Sequence, residues 1–70
     1  SIGSARVDLR VFDIRGHVVR TLVAAAQAPG RYAIAWDGRD EHGQSVSSGV
    51  YFYRLHTEHF TQARKMMLVK

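Results

Sequence analysis

The chain has no cysteine, a single proline, and no apolar run longer than the five residues Leu22–Ala26. Without cysteine there is neither a disulfide nor a thiolate metal site, so packing, hydrogen bonding or association must supply the stability. An apolar run of that length neither spans a bilayer nor forms the core of a signal peptide, which excludes a membrane helix within the chain. Basic runs are missing as well. Ten arginines and lysines outnumber six acids to give a net charge of +4, yet only Arg64 and Lys65 are adjacent. Aromatic residues do not interleave with the basic ones as a stacking platform requires, so no nucleic-acid binding is expected.

Seventy residues, 46% of them hydrophobic and 23% charged, fit one globular domain spanning 1–70. That length lies near the lower limit for a single self-sufficient core. Alternation of period two dominates. In Arg6–Ile14, Val7, Leu9 and Val11 point one way and Asp8, Arg10 and Phe12 the other, as in a half-buried strand. Asp13-Ile14-Arg15-Gly16-His17 reads as a hairpin turn, because Gly16 can take a positive φ. The returning strand His17–Val23 breaks parity, which implies a bulge or bend near Arg20-Thr21. Ala24–Ala28 reads as a loop or one helical turn, closed by Pro29-Gly30.

A third strand is expected from Arg31, with Tyr32, Ile34 and Trp36 on one face and Trp36 at the centre of the core. Asp37–Gln44 is turn chemistry throughout, with Val46 able to plug back into the core. Gly49–Thr57 is apolar on both faces and reads as a central strand; Glu58-His59 is a short turn, and Phe60–Lys70 alternates again. Five strands joined by short turns predict an all-β, antiparallel sandwich.

Candidate chemistry is thin. Asp37, Asp40 and Glu41 form the densest carboxylate cluster, but Arg39 holds the middle ligand position of a calcium loop and the glycine comes late, so turn capping is the expected role. His17 and His42 fall in separate turns, and His56 with His59 would supply only two of a zinc site's four ligands. Ser45, Ser47 and Ser48 lack a nucleophile elbow or an activating base. No catalytic residue, metal or cofactor is expected, and the chain reads as a non-enzyme. Tyr32, Tyr51, Phe52 and Tyr53 raise a rival reading, an exposed aromatic strip of a carbohydrate-binding module; the competing expectation is that one face of the strip packs on Trp36.

The stretch from Trp36-Asp37-Gly38 through Asp40, Gly43, Gly49, Tyr51 and Leu55 resembles the Ig-like domain of flagellar hook-capping proteins, the FlgD-like Ig family. Val11–Val23 with Asp13, Gly16 and Leu22, then Pro29-Gly30-Arg31-Tyr32, then Thr61–Leu68 with Lys65 and Leu68, agree with its pattern in the same order. The resemblance implies an immunoglobulin-like β-sandwich. Here, however, only Ser1–Ala5 precede the segment containing Val7, so the domain is expected to lack the family's first strand, leaving an edge open to strand addition.

Such domains outside the flagellum are similar to the C-terminal sorting domains of type IX secretion. The resemblance therefore implies a non-catalytic C-terminal accessory module of a secreted or surface bacterial protein, acting in sorting, anchoring or assembly. Its expected partners are the larger parent protein or a second copy, met through an exposed sheet edge, with no membrane insertion. The expected location is extracellular or at the cell surface, with the export signal outside this chain. A part in a flagellar hook-capping protein is the other alternative.

Overall fold

A computed structural model describes residues 5–27 and 34–70. They form strands β1 (Ala5–Phe12), β2 (Val18–Gln27), β3 (Gly49–Thr57) and β4 (Thr61–Leu68). All pair antiparallel in one sheet of order β2-β1-β3-β4, and the described residues contain no helix. The fold is all-β, as the alternation predicts, and β3 is central, flanked by β1 and β4.

The β1–β2 turn follows from Asp13 and Gly16. Asp13 Oδ1 accepts the N–H groups of Arg15 and His17, each at 2.9 Å, while the Gly16 N–H donates to the Asp13 carbonyl at 3.0 Å. Gly16 sits at φ 86°, where a side chain would be strained.

Three expectations change. Ala24–Gln27 is strand, paired with Ala5–Asp8, not a loop or helical turn. Alanine carries little β signal of its own; a long-range ladder to β1 overrides it. Of the expected third strand, residues 31–33 lie outside the described residues, and Ile34–Trp36 form no ladder. The described strands make one sheet, and the described part of the connection between β2 and β3, residues 34–48, carries Trp36 against Tyr51. Trp36 is half-buried and is not the centre of the core, because it rides in that connection; Val11 (0% exposed) and Tyr51 (8%) are the buried apolar side chains among the described residues.

The register explains why those two are covered. Val7, Leu9 and Val11 oppose Thr57, Leu55 and Tyr53, which puts them on one face with Tyr51, Met66 and Leu68. On the other face Phe12 opposes both Val18 and Phe52, and Arg10 opposes Arg54. Register shifts in β2 fall between the partners of Leu9 and Arg10 and between those of Val11 and Phe12. Leu22 and Val19 are the unpaired extra residues, so the expected bulge near Arg20-Thr21 is two bulges flanking that pair. They turn Arg20 to stand opposite Val11, on the apolar face.

Candidate functional site

Asp40-Glu41-His42-Gly43-Gln44 repeats the bonding of Asp13–His17. Asp40 Oδ1 accepts the His42 and Gln44 N–H groups at 2.9 and 3.0 Å, and the Gly43 N–H donates to the Asp40 carbonyl at 3.0 Å. Gly43 has φ 79°. In both turns the backbone N–H four residues on (His17, Gln44) is the main influence holding the aspartate below its ordinary pKa, since it bonds the charged form. Asp37 Oδ1 likewise accepts the Arg39 N–H at 3.0 Å, and a single bridge, Arg39 to Ser45, closes the small hairpin around Asp40. The carboxylates are thus committed to turn capping, and among the described residues no group of three His, Cys, Asp or Glu side chains is placed to hold a metal ion.

This hairpin clamps the β2 edge of the sheet. The Glu41 N–H donates to the Val19 carbonyl at 3.1 Å, and the Glu41 carboxylate accepts the Thr21 N–H. Arg20 donates to Asp37 Oδ1 at 3.3 Å and to the carbonyls of Arg39 and Asp40 at 3.3 and 3.5 Å. Trp36 meets Tyr51 edge-on, centroids 5.2 Å apart, while its Nε1 donates to the Arg39 carbonyl at 2.9 Å. A Cβ on buried Gly38 would meet Leu68 in ordinary contact at 3.5 Å, so it is the φ of 75°, and not lack of room, that calls for glycine where the loop passes β4. The Lys70 ammonium donates to the Val46 carbonyl and the Ser45 hydroxyl. Val46 itself is half-buried, its N–H bonded to the Gly38 carbonyl at 2.9 Å.

The opposite edge has no partner strand among the described residues. β4 runs in unbroken register with β3 from His56–Thr61 to Gly49–Leu68, and among the described residues no strand pairs with its other side. Alternate N–H and C=O groups of such a strand face outward. Thr61–Lys65 are all exposed, as is Met67, with Met66 and Leu68 half-buried. β1, by contrast, is bonded on both sides, so the open edge is not beside the first described strand.

Of the residues singled out in the sequence, Trp36, Asp37, Gly38, Asp40 and Gly43 gather in the clamp, against Tyr51 and Leu68. Asp13 and Gly16 build the other turn, Leu22 is a bulge residue, Gly49 opens β3, Leu55 faces Leu9, and Lys65 lies on the free edge strand. Gly30 lies outside the described residues. Glu41, expected only as part of the carboxylate cluster, and Arg20, expected only at a bulge, are the latches of the clamp; the signal for Arg20 was the broken parity of β2. Tyr32 lies outside the described residues, and among those described the aromatic strip does not form as a surface: Tyr51 is buried, Tyr53 is half-buried on the same face, and Phe52 is on the other. There Arg54 lies 4.9 Å from the centroid of the Phe12 ring, at a groove of about 250 Å³.

An all-antiparallel four-stranded sheet with capped turns makes a small all-β module, consistent with an Ig-like domain. A family model described as the FlgD Ig-like domain matches residues 1–59, and the chain belongs to that family. No curated protein and no solved structure matches it.

Proposed function

We propose that the chain is a non-catalytic accessory module of an exported bacterial protein, serving its sorting, anchoring or assembly by accepting a strand at the sheet edge. The asymmetry of the two edges carries this reading. β2 is bulged twice and its outward groups at Val19 and Thr21 are taken by Glu41, whereas β4 is regular and, among the described residues, open on one side. A bare, unbulged edge is a template for pairing. Family membership supports attachment to a larger assembly, the flagellar hook cap being one such setting.

Proline provides the test, because it removes an N–H and is tolerated on an edge strand only where that N–H faces outward. Of Gln62→Pro and Ala63→Pro, one interrupts the β3 ladder and the other only the free edge. With the chain fused to an exported reporter in a host of the parent gene, the native chain retains the reporter at the cell surface, and the Pro variant that keeps its cooperative melt releases it. Equal retention by that variant would overturn the reading. A carbohydrate-binding role would instead need a planar set of exposed rings, and Tyr51 and Phe52 lie on opposite faces.

A further inference from the structure

We infer that the occupant of the β4 edge is an extended segment of a different protein, carrying two consecutive acidic residues followed or preceded by apolar ones, and not a second copy of this chain. The inference rests on the strand-accepting role proposed above and names the chemistry of the strand accepted. β4 holds Arg64 and Lys65 at its middle, one beside Tyr53 and the other beside Phe52, hence on opposite faces of the sheet. Full antiparallel overlap of Thr61–Leu68 with a second copy would set Arg64 against the copy's Lys65, which the pleat forbids because the two lie on opposite faces. A shift in either direction that keeps most of the overlap sets Arg64 against Arg64 or Lys65 against Lys65. Like charges directly opposite one another destabilise a strand pair, and opposite charges stabilise it.

No acid of this chain relieves the two cations from the neighbouring strand, since their partners across the ladder are aromatic. A partner strand with adjacent carboxylates reaches both, because consecutive residues point to opposite faces. Beyond the cations, Met66, Met67 and Leu68 offer an apolar end, with Met67 65% exposed, which matches aliphatic side chains in the incoming strand. Lysine on an edge also discourages indiscriminate pairing, so the same residues exclude apolar and basic strands.

The experiment titrates the chain with a synthetic eight-residue peptide whose adjacent glutamates are placed to face Lys65 and Arg64 and whose valines face Met66, Met67 and Leu68. A control peptide replaces the glutamates with lysines. Backbone amide shifts are expected in Thr61–Leu68 and not in Val18–Gln27, with the acidic peptide binding at least about tenfold tighter than the control. The double substitution Arg64→Gln/Lys65→Gln, on exposed side chains, is expected to keep the melt and lose that preference. Equal binding of both peptides, binding of neither, or concentration-dependent dimerisation of the chain with shifts in β4 would overturn the inference. If surface retention of the reporter still depends on the free edge, the accessory role stands and only the partner's chemistry is wrong.

Discussion

The turns at Asp13 and Asp40 share their residue spacing, their hydrogen bonds and their positive-φ glycine, yet one is the tip of a long hairpin and the other of a hairpin closed by a single bridge. The difference lies outside the turns. Phe12 and Val18 continue into strands whose side chains alternate toward a core, so the ladder propagates. Arg39 and Ser45 continue into Trp36–Gly38 and Val46–Ser48, which bond across to β2 and the C-terminus. A local code makes the turn; what flanks it decides whether the chain reverses within the sheet or bends over it.

Removing the anchor of the second turn should separate the two most. Trp36→Ala deletes the ring against Tyr51 and the bond to the Arg39 carbonyl, and should cost about 2–3 kcal/mol, as expected for a half-buried aromatic residue. Denaturant midpoints measure the loss, and hydrogen exchange should show the Thr21 amide deprotected while the Gly16 amide stays closed. Full retention of stability would mean that the clamp contributes nothing to the fold.

Truncating the capping carboxylates is the next sharpest probe. Asp13→Ala and Asp40→Ala each strip two backbone N–H groups of their acceptor and should each lower the Tm by about 4–8 °C. Only Asp13→Ala is expected to broaden amide signals along β1 and β2; identical spectral effects from both would erase the distinction drawn between them.

Acid should weaken both turns together and least. Each aspartate is held below the ordinary carboxylate pKa by the backbone N–H groups it accepts, so its contribution is fully present above the unfolded value and is lost as pH falls through the folded one. Thermal melts should therefore decline below about pH 4, and the slope should flatten in Asp13→Asn/Asp40→Asn, where the side-chain oxygen still accepts without titrating.

The parts legible in the sequence are those set by neighbours in the chain. Both Asp-x-x-Gly turns, the faces of β1, and β3 as a two-sided central strand follow from spacing alone. Ala24–Gln27 was not legible because its strand state comes from pairing with Ala5–Asp8. Arg20 as a latch depends on two bulges whose positions are set by register against β1, and Trp36 lost its central place because the segment carrying it bends over the sheet. An open edge was expected from the missing first strand, whereas the edge without a partner among the described residues is β4. That follows from β3 joining the sheet beside β1 and not beside β2, a long-range choice no local pattern records.

That same strand order shapes how the chain folds. β1 with β2, and β3 with β4, are hairpins closed by short turns, and among the described residues one ladder, the seam of Val7–Phe12 against Phe52–Thr57, joins the two hairpins. Loop-closure entropy rises only slowly with length, by about 0.6 kcal/mol per doubling, so the connection between the hairpins can lengthen with little thermodynamic effect. The seam is where distant contacts must form before they stabilise anything, and Leu9 facing Leu55 across it is the pair whose loss should slow folding. The molecule is kinetically two halves, each local, waiting on one zipper between them.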